Sequence, residues 1–411
     1  MTSTSLGGEW IWWASLVAGG IYVLTAIFVV VSRLRFERQR RLIALVESLL
    51  AEASSSAAAG ANRSGAMTAL TSAPVLILWA IAADSSIPTK IHQLVARSLL
   101  ERVGTERLCE IAGAGGASHG PRRIAALRAL ALTGAADAWR LLALALKDSN
   151  PEVVGATISL LGEIGDRRSA VLLINALRAG RYLRSRISTA LEALSGDISD
   201  LLAPLLSSDD AATRYWGVML IKRFPGTPGL ASTVEAMTAD EQPLVRKAAL
   251  YALPEIGGAG AAVAAQRCLS DPVHFVRVYA ARAIGMLPAP DRIHALVPLL
   301  ADRDWWVRSA VKQILEQSGE TVEDALIPYL SHSDAFARNG AAEVLQNTGA
   351  FERMLALEAT GPSDPHRLSV INTLAQAGGL RMWDSVLLRL PPTSRARARK
   401  LLTETLSPEV R

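Results

Sequence analysis

Residues 271–287 read DPVHFVRVYAARAIGML. Asp271 and Pro272 are start signals, since Asp accepts an orphan backbone N–H at a helix N-terminus and Pro suits the first turn. Small apolar residues follow Arg277, as in Ala280-Ala281, and Pro288 stands eleven residues after the Arg. That same position falls at 104, 134, 165, 196, 225, 257, 288, 319, 349, 378 and 408, in steps of 29 to 32, and is Gly or Pro every time. A Gly there ends a helix, because it takes the left-handed C-terminal conformation without strain.

The position eleven before each stop is Arg in eight units of eleven: Arg123, Arg214, Arg246, Arg277, Arg308, Arg338, Arg367 and Arg397. Gln93, Val154 and Ser185 hold the other three. Turn and cap residues precede it, as in Asn150-Pro151, Asp209-Asp210, Asp304, Asp334 and Asp364-Pro365. A second, shorter apolar run lies between each stop and the next cap, for example 170–177, 201–206, 294–300 and 325–330. Each unit of about 31 residues is therefore a helix–turn–helix. No such pair buries its apolar face alone, and stacked neighbours make a continuous core.

This pattern resembles the HEAT-repeat family, in the short bacterial variety of phycobilisome-lyase-like proteins with its D-P-x-V-R-x-x-A-A-x-A-L-G signature. Asp271, Pro272, Val276, Arg277, Ala280, Ala281, Ala283 and Gly285 carry it, as do Val245, Arg246, Ala249 and Gly257. The resemblance covers about 73–408 and implies an all-α, right-handed α-solenoid of about eleven repeats. It is specific for fold and unspecific for activity.

The Arg column is expected to stitch repeats, each Arg lying beside a capping Asp of the next unit; an unpaired column of cations would repel itself. Two positions before the Arg stand Phe275, Trp306 and Phe336 in consecutive units, with Trp305 adjoining. They fall at the turn, where exposure is expected, and exposed aromatic ridges mark partner sites. Solenoids of this kind bind along a concave face formed by the second helices. Arg128, Tyr251, Arg282, Gln313 and Glu343, each five residues after its register position, are the candidates for that face.

Residues 10–31, WIWWASLVAGGIYVLTAIFVVV, carry no charge. A helix of that length reaches about 33 Å, enough to span a bilayer core of about 30 Å. Trp10, Trp12 and Trp13 crowd one end, and Arg33, Arg35, Arg38, Arg40 and Arg41 follow the other. That asymmetry predicts a single-pass helix in the inner membrane with residues 1–9 outside and the C-terminal side in the cytoplasm. A cleaved signal peptide would want positive charge before a shorter run and a small-x-small site after it. Residues 32–53 read as a basic juxtamembrane helix and 54–66 as a flexible linker of small residues. Residues 67–390 read as the solenoid and 391–411 as a basic capping unit.

Charge and composition exclude several classes. The formal net charge is +5, of which residues 33–41 supply +4, so a spread nucleic-acid-binding surface is not favoured. Two Cys, far apart, exclude a disulfide framework and suit a reduced compartment. The six His stand in no metal-ligating spacing, and no phosphate-loop or nucleophile-elbow motif occurs. Arg outnumbers Lys 37 to 6, a bacterial, GC-rich composition. The sequence predicts no catalytic, metal or cofactor-binding residue, no small-molecule substrate and no nucleic acid. It predicts a membrane-anchored, non-enzymatic scaffold for a protein partner. The alternative is a regulatory subunit of a membrane enzyme complex, such as a glycosyltransferase or transporter, packing partly through Ala14 and Ala18. A lyase-type enzyme ranks third.

Overall fold

The computed structural model describes residues 6–55, 59–114, 120–224, 229–286, 289–378, 387–388 and 390–405. Among the described residues every regular element is helical. The chain divides into two units, residues 1–196 and 197–411.

In the first unit a single helix runs from Leu6 to Ser55. The expected membrane span and the basic juxtamembrane segment are thus one rod. Val17, Ile21, Leu24, Phe28 and Val30 are each more than half exposed, so apolar residues face outward all round this stretch. Among the described residues no helix is long and apolar enough to cross a membrane. The side chains of Trp10, Trp12 and Trp13 lie outside the described residues. Arg33, Arg35, Arg38, Arg40 and Arg41 are all exposed; Arg33 pairs with Glu37 at 3.4 Å and Arg40 lies 4.7 Å over the Phe36 ring.

The linker reading of 54–66 needs correction, because Ala59–Ser72 is a helix that packs on the long rod. Its Ala content favours helix, and a buried Leu70 gives it an apolar anchor. Helix pairs follow at Val75–Ala83 and Thr89–Val103, Thr105–Gly113 and Gly120–Thr133, Ala138–Ala145 and Pro151–Ile164, and Arg167–Ala179 and Arg184–Glu192.

The second unit repeats the plan at Ser199–Leu206 and Ala211–Arg223, Leu230–Met237 and Pro243–Ile256, and Ala261–Arg267 and His274–Ile284. Ala289–Leu296 and Trp305–Glu316 come next, then short turns over 319–331 before Ala335–Asn347. Ala350–Thr360 and Pro365–Gly378 follow, and Pro392–Thr405 packs on both. Pro298 and Pro328 lack the N–H that an α-turn needs, and the chain around them tightens to 3₁₀ geometry.

Local chemistry sets these boundaries. Asn150, Asp166, Asp210, Asp304 and Asp334 each accept a backbone N–H at a helix start, a contact that contributes about 1 kcal/mol. Six of the stop positions, Gly104, Gly134, Gly165, Gly257, Gly319 and Gly349, have positive φ. Gly196 and Gly378 lack it, and Pro225, Pro288 and Pro408 lie outside the described residues. The core of the second unit is a run of Val, Leu, Ile and Ala from successive second helices, including Val276, Ala280, Val307, Val311, Ala341 and Leu345.

Candidate functional site

Where the register residue is Arg, it sits near the start of the second helix, and in Arg214, Arg246 and Arg277 it works in two directions. In Arg277, Nε and Nη2 both donate to Asp302 at 2.8 Å, while Nη1 donates to its own turn at Asp271 O, also 2.8 Å. Arg246 does the same with Asp271 and Asp240 O, and Arg214 with Asp240 and Ser208 O. Arg123 pairs with Asp148 in the first unit. One planar guanidinium thus closes its own repeat and clamps the next, which a fork of five donors suits. Burial is the largest single influence and would raise Asp240 and Asp302; the hydrogen bonds from Arg214 and Arg277, the backbone N–H groups of Gln242 and Asp304 and the nearby Arg charges together outweigh it and hold both carboxyls below the ordinary range.

The column then changes. Arg308 donates to Asp302 O at 2.7 Å, but His332 occupies the place where the next Asp would stand. The His332 ring nitrogen Nδ1 accepts from the Asp334 N–H at 3.0 Å, as Asp302 accepts from Asp304. It copies the turn-forming half of the Asp and offers no carboxylate to the Arg. The Arg308 guanidinium lies 4.0 Å over the Phe336 ring instead. Arg338 donates to His332 O and Ser333 O. Arg367 pairs with Glu358 of its own repeat at 3.1 Å, and Arg397 reaches Gly361 O at 3.3 Å.

The predicted aromatic ridge lies at this changed stitch. Trp305, Trp306 and Phe336 are 57%, 63% and 56% exposed, and the two Trp rings meet edge-to-face at 4.6 Å. Phe275 departs from the expectation. It is half-buried against the core of its unit, with the His274 ring edge-on at 5.6 Å, and Arg303 crosses its turn to Pro272 O. The same offset holds exposed Leu244 in the second unit and Leu183 in the first, apolar side chains without a ring.

Of the face candidates, Tyr251, Arg282, Gln313 and Glu343 are exposed. Tyr251 and Tyr279 pack edge-to-face at 6.0 Å. Lys222 sits 3.5 Å over Tyr251, and Lys247 and Arg282 flank Tyr279 at 4.8 and 5.3 Å. Glu343 binds Lys312 at 2.5 Å, and Glu255 binds Lys222 at 2.8 Å. The face is therefore a ladder of rings and cations running across neighbouring second helices, with Tyr279, Lys222 and Lys247 as members not singled out from the sequence.

Arg128 is a correction. It is 1% exposed, and its Nη1 donates to Ala82 O at 2.6 Å. His92 Nε2 lies 2.9 Å from Asp84 O and 3.2 Å from Ile81 O. Together they satisfy the carbonyls at the C-terminus of Val75–Ala83, a structural duty. Burial, then the Arg128 charge, push the His92 pKa down to about 4. The ring facing two carbonyls is thus neutral, with its proton on Nε2.

Among the described residues no cluster of His, Cys, Asp or Glu is placed to hold a metal ion. Cys109 and Cys268 are free thiols, and Cys268 is buried with its Sγ donating to Thr238 O.

Residues 198–285 and 265–346 match the family described as HEAT repeats. Comparison with curated proteins yields no match. The chain is similar to the CpcE–CpcF complex of phycocyanin lyase from Nostoc sp. PCC7120, at 20% identity over 51% of this chain and 96% of that one, TM-score 0.30. It is similar to human deoxyhypusine hydroxylase, at 18% identity over 61% and 99%, TM-score 0.25. It is also similar to the Kap95:Nup1 complex, at 12% identity over 81% and 56%, TM-score 0.47.

Proposed function

We propose that this chain is a membrane-anchored scaffold whose HEAT repeats hold a protein partner at the cytoplasmic face of the inner membrane. The observation that carries the reading is the exposed ridge of Trp305, Trp306 and Phe336 at one changed stitch. Trp is a favoured interface anchor, and exposing three large rings together costs solvation that a partner would recover. The Tyr251–Tyr279 ladder with Lys222, Lys247 and Arg282 offers a second, polar contact strip on the second helices.

The anchor is supported by the uncovered apolar residues of 17–31, followed at once by five exposed Arg. A helix apolar on all sides is stable in lipid or in a core, and no other element covers these side chains among the described residues. Tethering would raise the local concentration of the captured partner beside a membrane complex.

Crosslinking pull-down from native membranes tests the reading, comparing full-length protein, a copy lacking residues 1–66, and the Trp305→Ala/Trp306→Ala variant. The scaffold reading expects full-length and truncated proteins to capture the same partner and the double variant to lose it. Capture that survives in the double variant contradicts the ridge, and capture only by full-length protein favours the regulatory-subunit alternative.

A further inference from the structure

A pocket of about 360 Å³ opens in the first unit where three helices meet. The long rod contributes Arg35, the helix Val75–Ala83 contributes Leu76, Ile77 and Trp79, and Gly120–Thr133 contributes Pro121 and Arg122. Two guanidinium groups from elements far apart in sequence therefore border one apolar cleft. Neither Asp nor Glu is among the lining residues. Arg35 lies four residues past Val31, about 6 Å along the helix axis, so the cleft sits just beyond the uncovered apolar stretch.

We propose that this pocket binds one anionic phospholipid, with the phosphate between Arg35 and Arg122 and the upper acyl chain against Leu76, Ile77 and Trp79. The site rests on the reading that residues 10–31 cross the membrane. Charge complementarity selects an anion, and the apolar wall selects one with a hydrocarbon tail over free phosphate. Arg is suited to the headgroup because its fork matches phosphate oxygens, and Trp favours the depth at which headgroup and chain meet. The volume falls within the range of small-molecule sites and holds a headgroup with part of one chain. Such a lipid would fix the first helix pairs against the bilayer and so set the angle at which the first unit leaves it.

The test reconstitutes full-length protein into nanodiscs of phosphatidylcholine containing a minor fraction of phosphatidylglycerol. The protein is re-extracted in mild detergent, and retained lipid is counted by native mass spectrometry. Phosphatidylglycerol is expected to be retained in preference to phosphatidylcholine, and one surface-exposed cation near a headgroup corresponds to a roughly fivefold change in retention. Arg122→Ala should lower retention by about that factor, while Arg178→Ala, an equal charge loss elsewhere on the same unit, should not. Both residues are exposed on helices, so neither change threatens folding. Equal retention of the two lipids, or an unchanged Arg122→Ala, overturns the pocket and leaves the anchor standing. Displacement of the lipid by soluble glycerol 3-phosphate overturns the lipid assignment in favour of a free organic phosphate. Recovery of the protein outside the nanodiscs overturns the anchor and the pocket together.

Discussion

The Arg308 guanidinium stacks over Phe336 at 4.0 Å, where Arg214, Arg246 and Arg277 each grip an Asp of the following repeat with two hydrogen bonds. A single replacement, His332 at the Asp position, accounts for the difference. The guanidinium freed from a carboxylate supports an exposed ring, and two Trp lie on the same turn. The repeat thus gives up stitching strength where it presents exposed aromatic rings.

Restoring the acid should reverse this trade. His332→Asp gives Arg308 a carboxylate in the geometry of Asp302 while keeping an acceptor for the Asp334 N–H. Thermal unfolding should show a gain of about 1 kcal/mol, reduced from the value of a buried charged hydrogen bond because the site is half-exposed. An unchanged or lower midpoint would mean that the Arg308–Phe336 stack already equals the ion pair.

Breaking an intact stitch should be costly. Arg277 is 4% exposed, and removing it leaves Asp302 without two donors and Asp271 O without one. Arg277→Met is expected to cost about 3–5 kcal/mol, and the Arg277→Met/Asp302→Ala double variant clearly less than the sum of the two singles. Urea denaturation of the four proteins gives the cycle; strict additivity would show that the pair does not act as a unit.

The first unit should weaken in mild acid through His92. Its folded pKa of about 4 lies below the ordinary 6.5, so the unfolded chain takes up the proton first. Stability is complete above pH 6.5 and falls as the pH drops toward 4, by about 2 kcal/mol between pH 7.5 and 5. Denaturant unfolding at those two pH values measures this. His92→Gln keeps an N–H for the carbonyls and removes the titration, so its pH dependence should be flatter. An equal slope in both proteins would assign the acid sensitivity elsewhere.

The cation–ring ladder should matter for binding and not for folding. Arg282 is exposed and lies 5.3 Å over the Tyr279 ring. Arg282→Glu is expected to weaken partner capture while shifting stability by less than about 0.5 kcal/mol. Circular dichroism alongside co-purification separates the two, and lost helicity would make Arg282 a structural residue.

The period, the caps and the stitching Arg were legible because each recurs every 31 residues or so and each has a local chemical cause. Arg123 pairs with Asp148 and Arg277 with Asp302, each two residues before the helix cap and not the capping residue that the sequence pointed to. Arg128 misled because the offset that is exposed in the second unit is enclosed in the first. Helices Val75–Ala83, Thr89–Val103 and Thr105–Gly113 all pack on Gly120–Thr133, so it has no free face there. The stretch 124–132, IAALRALAL, holds a single polar residue and signalled this, since a helix apolar all round is a buried one. The Arg308 switch was hidden for a different reason. It depends on a residue 24 positions away, and His332 preserves the local turn that a sequence pattern detects. Phe275 shares its offset with Trp306, yet it packs against the core of its unit.

The Trp305–Trp306–Phe336 ridge is proposed as the protein-binding surface. Its most direct test is a photo-crosslinking amino acid at position 306 of the full-length protein in native membranes, with one at exposed Asn339 as the comparison. The account predicts a discrete adduct from 306, absent from 339 and lost when Phe336 is changed to Ala. No adduct at 306, or the same adduct from both positions, would contradict it.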